Sequence, residues 1–252
     1  GEYCALLICH NETSTGITQD APALATLAEN HGVAFILDGI TSVAGLPVHP
    51  ADWNAEAVVV GAQKCTAGPS GIAAIAVSES FIESCKVLRQ SGNGNPMYYF
   101  DLLPAVKKAD DDQTPWTPAI NLAIGWATAL SELENETLAG RVRRCAHMAQ
   151  GVRNLFSDLG FSLFADIGCY SDTVTAILYP EGLDDGWRTH LQNEYQTFVI
   201  GAQDHMKGKM FRIGSMGNTT VSEMVEGCRR MVACFADFGL DLGEVDVASY
   251  FE

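Results

Sequence analysis

A chain of 252 residues with 47% hydrophobic and 18% charged residues can bury a sizeable core, which excludes a disordered protein. Its 31 acidic against 15 basic residues leave a net charge of −16, which argues against a nucleic-acid surface and against docking on anionic lipid. The 8 cysteines form no CxxC pair and no zinc-type cluster with His, so they read as free thiols in a reducing, cytoplasmic setting, and no apolar run is long enough to span a membrane.

The chain opens on an apolar run at residues 3–9 that reads as a buried strand, with only Gly1 and Glu2 before it. Residues 11–16 are a polar loop. Apolar residues at helical spacing (Leu24, Leu27, Ala28) predict a helix from Pro22 to Asn30, stopped at His31-Gly32. A strand then ends at Asp38, another covers residues 57–60 and leads into a loop through Lys64, and a buried one runs from Gly71 to Val77. This alternation predicts an α/β fold with a mostly parallel sheet and helices on both faces. Residues 91–118 read as irregular, rich in Gly, Pro and Asp, and a connection of that length is usually functional or contacts a partner. Helices follow at Ala119–Glu136 and Thr137–Leu159, and a domain boundary falls near residue 138. Beyond it, strands at Thr173–Leu178, Thr197–Ile200 and Lys209–Ile213 mix with helices at Trp187–Tyr195 and Val221–Phe238. That mixture predicts a smaller α+β domain over residues 139–252, with residues 1–138 forming the larger one.

Polar, reactive residues stand at three strand ends: Glu12 to Thr15, Asp38 to Ser42, and Gln63-Lys64. In a doubly wound sheet ligands bind beyond the carboxyl ends of the strands, so these loops are expected to converge. A carboxylate and an amine at the exits of buried strands are what pyridoxal 5′-phosphate chemistry needs. The amine of Lys64 forms a Schiff base, and Asp38 holds the pyridinium N–H so that the ring stays an electron sink.

Residues 38–47 (Asp-Gly-Ile-Thr-Ser-Val-Ala-Gly-Leu-Pro) and 60–71 (Val-Gly-Ala-Gln-Lys-Cys-Thr-Ala-Gly-Pro-Ser-Gly) resemble the class V aminotransferases of pyridoxal phosphate fold type I. Within that class they resemble the alanine–glyoxylate and serine–pyruvate branch. Residues 10–16 are similar to that branch's Glu-(Ser/Thr)-Ser-Thr-Gly loop, and residues 207–217 to its Arg-Ile-Gly signature. The resemblance implies transamination from a small amino acid to a 2-oxo acid such as glyoxylate or pyruvate. It implies cofactor contacts from Thr13, Asp38, Ser42, Gln63 and Lys64, and pairing of Arg212 with the substrate α-carboxylate. It further implies a homodimer with a shared site, in which Thr114 and Thr117 reach the neighbouring subunit's phosphate.

The pattern departs from the family at Ala62, Ser70 and Ser215, none of which touches the core chemistry. The family also carries a Gly-rich phosphate turn and a ring-stacking aromatic upstream of the first strand seen here, so the large domain is expected to be N-terminally incomplete. Trp116 stands in the wrong place to be that aromatic, and Trp126, in a helix pattern, is expected in the core. Two alternatives compete: a catalytically silent subunit of the same fold, and a cysteine desulfurase or lyase, for which Cys169 and Cys228 are the only loose candidates.

Overall fold

A computed structural model describes residues 2–94 and 97–252; Gly1, Asn95 and Pro96 of the expected irregular stretch lie outside the described residues. Strands β1 (Ala5–Cys9), β4 (Ala34–Asp38), β5 (Ala55–Gly61) and β6 (Ala73–Val77) form one sheet in the order β1-β4-β5-β6. Between them, β2 (Asn11–Glu12) and β3 (Ile17–Thr18) make a small hairpin inside the first polar loop. β1, β4 and β5 are mutually parallel, and β6 joins β5 antiparallel. The apolar β4 buries Phe35 and Leu37 on one face. There they meet Val58 of β5 and the alanine face (Ala21, Ala25, Ala28) of helix α1 (Ala21–Asn30). Asp20 caps α1 by accepting the Ala23 N–H at 3.1 Å, and Gly32 ends it at φ +61°.

Two strands read as buried are not. Leu7 of β1 is 68% exposed and Ile75 of β6 is 49% exposed. Both strands are terminal in the sheet order and, among the described residues, pair on one side only. The stretch 91–118 is also not wholly irregular, because helix α3 (Leu102–Ala109) follows α2 (Glu79–Gln90) there. Asp101 caps α3, and Pro104 falls in its first turn, where a missing N–H removes no helical bond.

Helix α4 (Ile120–Glu136) meets α5 (Leu138–Asp158) at Thr137, whose φ of +70° turns the chain while its side chain caps Gly140. From α5 onward a second core forms under an antiparallel sheet ordered β7 (Val174–Leu178), β9 (Met210–Gly214), β8 (Ile200–Gly201). The expected strand at 197–200 is only this short β8. Helices α6 (Asp185–Tyr195) and α7 (Val221–Ala236) close the second core. α7 starts on a capping box between Thr220 and Glu223.

Trp187 anchors this core, fully buried and stacked on Phe235 with ring centroids 4.3 Å apart. Trp187→Ala is expected to destabilise the chain by about 3–5 kcal/mol through the cavity it leaves, read as a lowered urea midpoint.

Candidate active site

Parallel pairing decides where the chemistry sits. Cys9 lies opposite Asp38 and Asp38 opposite Val59, so the loops leaving β1, β4 and β5 depart from one edge of the sheet.

The first loop folds onto the second core. Gly16 takes φ +69°, and a Cβ there would meet the Val174 carbonyl oxygen of β7 at 2.9 Å, so both backbone and space require glycine. Buried Asn11 donates to Thr41 of the second loop and, at 2.9 Å, to the Thr173 hydroxyl. The Thr13 carbonyl accepts from Arg212, and its hydroxyl bonds to no described residue.

In the second loop, Asp38 is half-buried, and one of its carboxylate oxygens accepts the Ile40 N–H at 3.0 Å. No described residue donates to the other oxygen. Ser42 is fully buried, and its hydroxyl has no partner among the described residues.

The third loop is held by its own backbone. The Ala62 carbonyl accepts from Gly68 N at 2.7 Å and from the Thr66 hydroxyl at 2.9 Å, and the Lys64 carbonyl accepts from Ala67 N at 3.0 Å. Cys65 Sγ donates to the Thr41 carbonyl at 3.3 Å, which ties this loop to the second. Lys64 is half-buried, and its amine makes no hydrogen bond or ion pair with any described residue; Gln63 beside it is exposed.

Arg212, at the middle of β9, arrives from the other core and is buried. Nε and Nη2 donate to the Gly201 carbonyl at 3.0 and 2.6 Å, and Nη1 donates to Thr13 O at 2.8 Å. A guanidinium has five N–H donors, so one remains on each terminal nitrogen, in the fork geometry that suits a carboxylate. Burial pulls its pKa below the usual value, while the Glu12 carboxylate opposes that shift. Glu12 is itself held below the ordinary carboxylate range, chiefly by the Ser14 backbone N–H at 2.7 Å. Cys9 stands near both Glu12 and Asp38, and burial together with those two carboxylates pushes its thiol up to about 11.

Thr13, Asp38, Ser42, Gln63, Lys64 and Arg212 therefore belong to loops and strands that touch one another. Thr114 and Thr117 do not join them. Both are exposed, and the Thr114 hydroxyl donates to the Trp116 carbonyl at 2.6 Å in a loop whose Tyr98 and Tyr99 pack on Trp116. Sequence reasoning missed two contributors. Trp126, expected in the core, is half-buried and donates its indole N–H to the Thr66 hydroxyl at 3.1 Å. Arg141 is 2% exposed and donates to the Cys65 carbonyl at 3.0 Å. Each lies in an ordinary amphipathic helix, and nothing local marks its distant partner.

The family model described as Aminotransferase class-V matches residues 1–163. An uncharacterized aminotransferase of Methanocaldococcus jannaschii is 34% identical over 96% of this chain and 63% of its own length. A serine–glyoxylate aminotransferase of Hyphomicrobium methylovorum is 33% identical over 86% of this chain and 54% of its own. The solved pyridoxamine–pyruvate aminotransferase of Mesorhizobium loti superposes with a TM-score of 0.86 at 25% identity, covering 99% of this chain and 63% of its own. The chain thus spans less than two thirds of the length of these relatives.

Glu136 bridges Arg141 and Arg144 behind the Lys64 loop, and its hydrogen bond from Arg144, then that from Arg141, lowers its pKa from 4.5. A depressed carboxylate contributes stability above its unfolded pKa and loses it as the pH falls through the folded one. Glu136→Gln should therefore lower the urea midpoint at about pH 7, and the gap from wild type should close towards about pH 3.

Proposed function

Because the chain belongs to the class-V aminotransferase family, we propose that it carries the lysine and substrate-carboxylate sites of a pyridoxal 5′-phosphate-dependent aminotransferase. The reaction moves the amino group of a small amino acid, alanine- or serine-like, to a 2-oxo acid such as glyoxylate or pyruvate. The observation that carries this reading is the Lys64 amine, unpartnered among the described residues, on a loop joined to that of Asp38, with Arg212 bonded to the Thr13 carbonyl of the first loop and keeping two N–H donors unspent. The groups left unpaired suit the cofactor: a free carboxylate oxygen on Asp38, an orphaned buried hydroxyl on Ser42, and a free amine.

When bound, pyridoxal phosphate supplies a carbonyl that amines add to and a ring that accepts electrons. Asp38 accepts the pyridinium N–H and fixes the ring's charge. Lys64 Nζ, which bonds to no described residue, would carry the proton from the substrate α-carbon to the cofactor C4′ in the first half-reaction and in the reverse direction in the second. Arg212 orients the substrate by gripping its α-carboxylate with two parallel bonds. Thr13, Ser42 and Gln63 line the cofactor from the first, second and third loops.

Residues 1–138 serve as the cofactor domain and 139–252 as the smaller domain. The enzyme works as a homodimer in the cytoplasm. Thr114 and Thr117 serve the neighbouring subunit's phosphate, which is supported by their exposed position beside Tyr98, Tyr99 and Phe100, themselves among the exposed large hydrophobics. The eight cysteines, all unpaired, support a reducing compartment. Thiol chemistry is not favoured: Cys228 is fully buried in α7 with its thiol pushed up to about 12, and Gln63 precedes Lys64 where a His is usual in the desulfurase branch, although Cys169 is exposed.

Mixing the chain with pyridoxal phosphate should give a visible absorption band that Lys64→Ala abolishes. A wild-type chain without that band is not self-sufficient; a band restored by adding a separate N-terminal fragment keeps this reading, and none restored overturns it and leaves the silent-subunit alternative. Arg212→Lys should keep the band and raise the KM for the amino donor about 10–100-fold, the worth of one charge-assisted contact. An unchanged KM would remove Arg212 from the carboxylate site.

A further inference from the structure

Lys64 and Arg212 belong to different sheets, yet the chemistry proposed above needs them in one fixed relation. A reacting site tolerates about 0.5 Å of misplacement. The Lys64 loop and the loop leaving β9 touch directly: a Cβ on Gly217 would stand 3.5 Å from the Lys64 carbonyl oxygen. Arg141, from the first turn of α5, reaches both loops. Nη1 donates to Cys65 O at 3.0 Å, on the Cys65–Thr66 peptide one residue beyond Lys64, and Nη2 donates to Asn218 Oδ1 at 3.0 Å. Nε is held by Glu136.

Arg144, one turn on, binds Glu136 with the same fork and donates to the carbonyls of Gly217, at 2.9 Å, and Thr219. Asn218 is anchored a second time, through Nδ2 to Glu132 at 2.6 Å. Gly217, Asn218 and Thr219 are thus gripped by two guanidiniums, one of which, that of Arg141, also grips the Lys64 loop. A buried cation costs several kcal/mol in lost hydration, so a tie that only glued helices together would be met more cheaply by apolar packing.

We propose that Arg141 is a positioning residue: its guanidinium, oriented by Glu136, fixes the Cys65–Thr66 peptide, one residue beyond Lys64, against the Asn218 loop and so sets the relation between the Lys64 amine and the Arg212 fork. The significance of that relation rests on the aminotransferase reading; the clamp itself does not.

Two readouts on Arg141→Lys test it and keep the two claims apart. The first needs no cofactor. Cys65 and Cys228 are both fully buried, one on the clamped loop and one in the second core. Alkylation by iodoacetamide, resolved by peptide mass spectrometry, should speed up about tenfold or more at Cys65 and stay unchanged at Cys228, the signature of local opening. Equal changes at both thiols, or none at either, overturn the clamp. The second readout is the rate at which the Lys64-dependent band appears on mixing with pyridoxal phosphate, expected to fall about tenfold in the variant. If Cys65 opens but that rate is unchanged, the clamp is structural and the positioning claim fails. If the wild-type chain shows no band even with a separate N-terminal fragment added, the aminotransferase reading fails and positioning fails with it, while the thiol ratio still decides the clamp. Should Arg141→Lys not fold, Glu136→Gln keeps the buried guanidinium but removes the charge that orients it. It should move the same ratio and rate in the same directions by smaller factors, and no movement would overturn the proposal.

Discussion

The parallel pairing of β1, β4 and β5 is the constraint on which the site depends. An antiparallel strand in that set would send one exit loop to the opposite edge and separate Lys64 from Asp38. β6 is antiparallel and does no such damage, because it lies at the end of the sheet beyond β5 and carries none of these residues. Pairing alone brings the backbones together. Side-chain ties between loops then fix them, namely Asn11 to Thr41 and Cys65 to Thr41, so the three exits act as one support.

The second core meets this support through polar contacts as well as the apolar packing of Met216 on Ala44 and Cys65. Thr173 binds Asn11, Arg212 binds the Thr13 carbonyl, and the Arg141–Glu136–Arg144 clamp joins Cys65 to the loop after β9. Directional bonds suit such a junction. An apolar seam fixes separation but slides easily, whereas a guanidinium with several committed donors fixes orientation as well. The gripping groups are cations and their targets are mostly peptide carbonyls, so changes in surface charge elsewhere disturb the junction little.

How much was readable from sequence follows the range of each interaction. Asp38, Lys64 and the three exit loops could be found because a strand end and its loop are contiguous in sequence. The helix α3 was hidden because Pro104 and the surrounding Asp and Gly residues carry loop statistics, while one Asp cap and a first-turn proline are compatible with a helix. The exposure of β1 and β6 was misread because an apolar strand looks the same at a sheet's edge and at its centre. Arg141 and Trp126 were unreadable in principle: their partners at Cys65 and Thr66 are 76 and 60 residues away, and no local pattern encodes such a contact.

Charge placement bears on the proposed substrates. The chain carries a net −16, and amino acids, 2-oxo acids and pyridoxal phosphate all present anionic groups, so the protein as a whole repels what the site would bind. Attraction must therefore be local. Arg212 is buried, and its fork acts through a low-dielectric surrounding where screening is weak, which strengthens each bond to a carboxylate. Between Asp38 and Glu12, Cys9 keeps its proton, with its thiol pushed up to about 11, so it adds no third negative charge to that edge. Two carboxylates on the exit loops, Glu12 and Asp38, stand with Lys64 of an exit loop and Arg212 of β9 inside a strongly acidic molecule. Under the aminotransferase reading, that local balance would offset the like charge that an anionic ligand meets on its way to Arg212.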